Sequence, residues 1–253
     1  MTGDEWEGLQ QEVRKETKAL DQLMTTWQEE HAASGKRIFC APGCSSCCTL
    51  YVQATLVEAQ IVAAELDSRQ LTSLASYVLR QRESLAGEDD FLALLRKQRS
   101  LIGPCPFLDQ SGCCSIYALR PLACRALLST KDPAWCSVDF RSLDPLEKQL
   151  YLASLDRPVV AFPVHYVAGT QRAAQDAAAR ILAQMQALPG GVAVSGNFPL
   201  LVYLLSSGSM ATVSKEGAAD WQAQIEDSPF FHPLLLEFQR TEQLPPPPCD
   251  PEN

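Results

Sequence analysis

Nine of the ten cysteines of this 253-residue chain fall in two short stretches, residues 40–48 and 105–136. The first reads C-x3-C-x2-C-C through Cys40, Cys44, Cys47 and Cys48. The second sets Cys105, Cys113, Cys114, Cys124 and Cys136 between short loops. Cysteines that pack as small buried hydrophobes account for one or two of these, not for the set. The N-terminus, MTGDEWEGLQ, is acidic and lacks the apolar core of a secretory signal. The longest apolar run, residues 198–205, is eight residues and contains Pro199, well short of the ~20 that span a bilayer. A soluble, cytoplasmic protein is expected, and in a reducing compartment the cysteines are not a disulfide framework. Metal or cluster ligation is the reading that remains.

The three histidines, His31, His165 and His232, lie outside both cysteine groups. An all-thiolate donor set follows, which selects zinc or iron–sulfur over magnesium, calcium or a His-rich catalytic zinc. The adjacent thiols of Cys47 and Cys48 point in different directions, so a polynuclear cluster or two neighbouring sites is implied. Only Cys44 and Cys47 form a C-x2-C arm of the kind zinc modules use in pairs. Ligand geometry therefore favours an iron–sulfur cluster, [4Fe–4S], over zinc. The expected ligands are Cys40, Cys44, Cys47, Cys48, Cys105, Cys114, Cys124 and Cys136, brought together in space. Cys113 should point away from Cys114, and Cys249 sits in a Pro-rich tail, so both are expected to be dispensable. C-x3-C-x2-C is also the spacing of radical S-adenosylmethionine enzymes, but this chain lacks the repeated βα units on which they are built.

Around the ligands, Arg120 and Arg125 would offset thiolate charge, and the Tyr117 hydroxyl would reach a cluster sulfur. The competing readings are surface ion pairs for the arginines and a core role for the tyrosine. His165, among Phe162, Val164, Tyr166 and Val167, reads as structural, and catalytic residues are not identifiable. Ser45 and Ser46 have no histidine nearby, so a Ser-His-Asp site has no support.

The rest of the chain reads as helix. Trp6, Leu9, Val13, Leu20, Leu23, Trp27 and His31 recur at helical steps, interrupted at Glu16 and Thr17. Thr55-Leu56-Val57-Glu58 has capping-box spacing, opening a helix to about residue 67. Further helices are expected over 71–82, 89–99, from Asp144-Pro145 to about 155, and 171–187, with short ones near 200–205, 215–226 and 234–240. Pro158 and Pro163 demote residues 159–167 to an extended segment or short edge strand. The expected fold is mainly α, a single helical domain with cysteine-rich loops around a metal centre. Its parts are an N-terminal amphipathic helix (1–35), a cysteine-cluster metal-binding domain (38–138), a helical C-terminal region (140–242) and a disordered Pro-rich tail (243–253). A net charge of −9 argues against nucleic-acid binding. The basic residues Arg80, Arg82, Arg96, Lys97 and Arg99 are interleaved with acidic ones and read as a solvated face.

Three blocks in order carry a family resemblance. They are Cys40-x3-Cys44-x2-Cys47-Cys48, then Cys105-Pro106-Phe107-Leu108, then Cys114-Ser115-Ile116-Tyr117-x2-Arg120-Pro121-x2-Cys124-Arg125. Together they resemble the YkgJ-type cysteine-cluster family, described as a zinc- or iron-chelating domain and related to flagellin lysine N-methylases. The likeness covers about residues 38–138. It departs from the family pattern at Cys113, and the C-terminal half shows no family pattern. The resemblance implies a bound metal and, through the methylases, an iron–sulfur cluster with S-adenosylmethionine acting on a protein substrate. Three functions stay open: a metal-binding module, a protein lysine methyltransferase and an electron carrier.

Overall fold

In the computed structural model, residues 3–41, 43–188, 191–207 and 218–240 are described. The N-terminal apolar stripe becomes helix α1 (Gly3–Ala33), which buries Trp6, Leu9, Val13, Glu16, Leu20 and Met24. Glu16 stays on the buried face because Arg180 meets its carboxylate at 2.6 and 2.7 Å. Leu23 is 46% exposed and Met24 takes its place inside. α1 packs along α8 (Ala168–Ala187), whose inward face is Ala174, Ala177, Ile181 and Met185. Small alanines there let the two helices approach closely.

Thr55 opens α2 (Leu56–Ala63) with both arms of its capping box present. Asp67 does the same for α3 (Ser68–Leu85). Asp90 caps α4 (Phe91–Lys97), which runs on into a π-turn at Gln98–Ile102. The cysteine-rich region contributes two single-turn helices, α5 (Leu122–Arg125) and α6 (Ala134–Ser137). Asp144 and Pro145 start α7 (Pro145–Ala153). Asn197 caps α9 (Phe198–Ser206), which is apolar all round and buried against α2 and α3, as expected of a helix at the centre of a core. Helix α10 is Ala218–Glu226.

A small antiparallel sheet sits among these helices, β1 (Gln53–Thr55), β2 (Val192–Asn197) and β3 (Leu236–Arg240), in the order β1-β2-β3. The sheet corrects the reading of residues 234–240 as helix. Leu236 and Phe238 pair with Gly196 and Val194 of a fully buried strand, and that pairing decides the backbone where local propensity is weak. β2 itself had no sequence signal, because burial on both faces erases the alternation by which a strand is read. Residues 159–167 form bridges, Val160 to Val167 and Ser129 to Tyr166. One core cluster joins Trp6 of α1, Phe107 of the cysteine region and Leu201 of α9. The fold is mainly α. No described helix is long and apolar enough to cross a membrane. The expected tail, 243–253, lies outside the described residues.

Candidate metal centre

The first cysteine group turns on Gly43, whose φ of +82° lies in the left-handed region. The chain then closes a 3-10 turn at Ser46–Thr49 that carries Cys47 and Cys48. The second group is docked onto it through the backbone, Cys105 N–H donating to Cys48 O at 2.8 Å. A tight hairpin follows. Asp109 Oδ1 accepts from Ser111 N at 2.8 Å and Cys113 N at 2.9 Å, and Leu108 bridges to Cys114. That turn brings Cys105 and Cys114 to neighbouring positions. Cys124 arrives on α5, whose first N–H, at Leu122, donates to the buried Glu58 carboxylate at 2.8 Å. Glu58 also accepts from Thr55 N and Oγ1 at 2.8 and 2.9 Å. A single carboxylate thus joins the start of α2 to the start of α5. Burial raises its pKa, and these hydrogen bonds oppose the rise.

Seven thiols line one cavity of about 290 Å3: Cys40, Cys44, Cys47 and Cys48 from the first group, and Cys105, Cys114 and Cys124 from the second. Leu50, Tyr77 and Phe198 close it on other sides. Among the described residues no three Cys, His, Asp or Glu side chains are placed to hold one metal ion. The thiols ring a space instead of meeting at a point. Nine cysteines are described and all are free thiols.

Burial raises the thiol pKa of Cys40, Cys114 and Cys124, and pushes that of Cys105 up to about 12. Cys47 is raised most by its hydrogen bond with Cys48 and then by burial. So many closely grouped thiols, one exposed and six partly buried, ionise together only when a cation accompanies them. The donor set is soft throughout, with no carboxylate or imidazole on the cavity wall, and it fits zinc or iron.

The neighbouring polar residues divide sharply. Arg120 lies close enough to act electrostatically on Cys47, Cys114 and Cys124. Its guanidinium stands 3.7 Å over the exposed Tyr117 ring. Arg125 is instead committed to Asp21 of α1 and to the carbonyls of Arg120 and Ala118. Cys113 is exposed and outside the cavity wall, although its Sγ lies near Gly43. Cys249 lies outside the described residues.

Cys136 does not line the cavity. It is buried on α6, with Sγ 3.3 Å from His165 Nε2. His165 Nδ1 lies 2.8 Å from Tyr151 Oη. Burial pushes the His165 pKa down to about 4, so the ring is neutral. No spacing rule could have linked residues 136, 151 and 165. The cue available was a histidine set among aromatic and β-branched residues. Arg99 of the π-turn fastens α6, donating to Val138 O at 2.8 Å and Cys136 O at 3.3 Å.

No curated protein and no solved structure matches the chain. A family model described as "Putative zinc- or iron-chelating domain" matches residues 39–139. These residues hold the whole cavity-lining thiol set, so the matched segment is the part of the chain that builds the cavity.

Proposed function

We propose that the seven cavity thiols supply the ligands of an iron–sulfur centre of the [4Fe–4S] type, at most four thiolates to one cluster, zinc being the second reading of the same donors. The observation that carries this is the ring of thiols around a 290 Å3 cavity, with Cys47 and Cys48 adjacent in sequence and both on its wall. A single tetrahedral ion takes four ligands at one point. Seven thiols around a wider space suit a polynuclear group, whose irons each draw on separate sulfurs. Such a cluster would supply electron storage or an open iron for a ligand. The chain's own part is to exclude water with Leu50 and Phe198, and to offset thiolate charge with Arg120. The test is anaerobic reconstitution with iron and sulfide, followed by metal and sulfide analysis and a visible spectrum. Near-stoichiometric sulfide with broad visible absorption supports the cluster. Colourless protein retaining zinc transfers the site to zinc. Retention of neither metal overturns both.

One feature favours S-adenosylmethionine-dependent methyl transfer to a protein lysine as a second reading. A groove of about 800 Å3 lies between α1 and residues 117–121, and it shares Tyr117, Arg120, Pro121 and Arg125 with the thiol cavity. Arg125 is occupied by Asp21, whereas Arg120 uses only Nε, on Tyr117 O, among the described residues. Its remaining donors are available to a carboxylate. Titrating the reconstituted protein with S-adenosylmethionine decides this reading. No heat and no spectral change at millimolar ligand would remove it and leave the binding module.

A further inference from the structure

Four polar side chains lie buried together behind the wall of the thiol cavity. Tyr77, Gln81, Gln98 and Asn197 are 2%, 1%, 1% and 1% exposed. Tyr77 and Asn197 also line the cavity, so the group starts and ends on its wall. Tyr77 and Gln81 stand one turn apart on α3. Gln98 opens the π-turn that follows α4, a rare element that is frequent at functional sites.

The hydrogen bonds of this group run in one direction only. Asn197 Oδ1 accepts from Leu200 N at 3.2 Å as the cap of α9, which fixes the orientation of its amide. Gln81 Nε2 donates to that same oxygen at 3.3 Å and to Gln98 Oε1 at 3.4 Å. Reversing the Gln81 amide would set oxygen against oxygen, and Gln81 Oε1 has no partner among the described residues. With its oxygen so used, Gln98 presents Nε2 to Tyr77 Oη. The Tyr77 oxygen is therefore an acceptor within the group, and its own proton has no acceptor there. A tyrosine that merely fills the core accounts for the first fact and not for the second, because an unmade buried donor is costly. Cys105, on the same cavity wall, lies close enough to the hydroxyl to act on it electrostatically.

We propose that the Tyr77 hydroxyl donates a hydrogen bond to the Cys105 sulfur when the centre is loaded, and that Asn197, Gln81 and Gln98 hold it as a donor. The proposal rests on the reading of the cavity as a metal centre and deepens it, naming a residue that tunes that centre. A metal-bound thiolate accepts a charge-assisted hydrogen bond, whereas a neutral thiol is a weak acceptor, so the bond strengthens as metal binds. Reduction of an iron–sulfur group by one electron puts further negative charge on its sulfur ligands. A donor at Cys105 stabilises that reduced state more than the oxidised one, and so raises the reduction potential. Tyr77 acts through Cys105 and is a positioning residue.

Tyr77→Phe keeps the ring and removes only the donor. In the anaerobically reconstituted full chain its iron and sulfide content should match the wild type, and its midpoint potential in a redox titration should be more negative. Gln98→Met leaves the phenol in place but frees it from its anchor, and should shift the potential the same way by less. Cobalt(II) loading gives a second readout, because sulfur-to-cobalt charge transfer should move to lower energy when the hydrogen bond is lost. If the wild type holds zinc and no cluster, that band decides alone. A Tyr77→Phe variant with unchanged potential and unchanged charge-transfer energy overturns the hydrogen bond and leaves the thiol centre standing. A wild-type chain that takes up no iron, zinc or cobalt overturns the centre itself, and the tuning with it. Should Tyr77→Phe fail to fold, Gln98→Met decides, and the absence of any shift in it overturns the proposal.

Discussion

Arg125 Nη1 lies 2.8 and 3.0 Å from the two carboxylate oxygens of Asp21, joining the cysteine-bearing helix α5 to the N-terminal helix α1. The Arg125 side chain is 8% exposed and Asp21 is 48% exposed. The two partners are therefore not equivalent. Replacing Arg125 with Met strips hydrogen bonds from the Arg120 and Ala118 carbonyls as well as from Asp21, and should cost roughly 2–3 kcal/mol. Asp21→Asn leaves the guanidinium on its carbonyls and should cost about 1 kcal/mol. Urea unfolding of the two variants checks the order, and equal effects would show that the ion pair alone matters.

Glu58 holds two helix starts with one carboxylate. Glu58→Ala frees Leu122 N–H, Thr55 N–H and the Thr55 hydroxyl in a buried setting. The expected loss is about 2–4 kcal/mol. Because α5 carries Cys124, metal content should also fall. Unfolding at matched metal load separates the two effects. A variant as stable as the wild type would mean that these donors find other partners.

The Glu16–Arg180 pair gives the fold an acid-sensitive joint. Its carboxyl pKa is lowered in the folded state, first by the Arg180 hydrogen bond. A lowered folded pKa contributes stability that is present above the unfolded value, ~4.3 for Glu. That contribution is lost as pH falls through the folded value. Glu16→Gln should therefore be less stable than the wild type at pH 7, and the gap should close below about pH 4. Thermal melts across that range measure it, and a gap independent of pH would assign the effect to packing instead.

How far the sequence could be read is visible at particular residues. The α1 stripe was legible, but Glu16 looked like an interruption because its partner lies 164 residues away. The caps at Thr55 and Asp144 were legible because both partners of each cap lie within one turn. β3 was not legible, since its pairing with β2 is long-range and residues 234–240 have no strong alternation. The grouping of thiols showed in spacing alone. That Cys136 also meets His165 did not, because the segments bearing Ser129 and Tyr166 pair only in the folded chain.

Gly196 is where that hidden sheet is most sensitive. A Cβ at Gly196 would sit 2.2 Å from Leu235 O and 2.8 Å from Leu236 Cδ2. Gly196→Ala must push β3 away from β2 and should cost about 2 kcal/mol or more, against the gain alanine gives in an unobstructed strand. A melt unchanged from wild type would show that β3 shifts freely.

The cavity thiols supply the last test, because position and not mere presence decides which cysteines matter. Cys105 and Cys124 lie on the cavity wall. Cys113 precedes a wall cysteine, yet it is exposed and off the wall. Cys44→Ser, Cys105→Ser and Cys124→Ser should each lower bound metal severalfold after anaerobic reconstitution. Hydroxyl is a harder donor than thiolate and a poor ligand for zinc or iron–sulfur groups. Cys113→Ser and Cys249→Ser should retain wild-type metal content. All five are measured by metal analysis on protein whose circular dichroism matches the wild type, so lost folding is not counted as lost ligation. If Cys113→Ser falls as far as Cys44→Ser, the hairpin must turn its first cysteine inward when metal binds, and the seven-thiol ring is incomplete. If no wall cysteine lowers the metal content, the cavity is not where the metal resides.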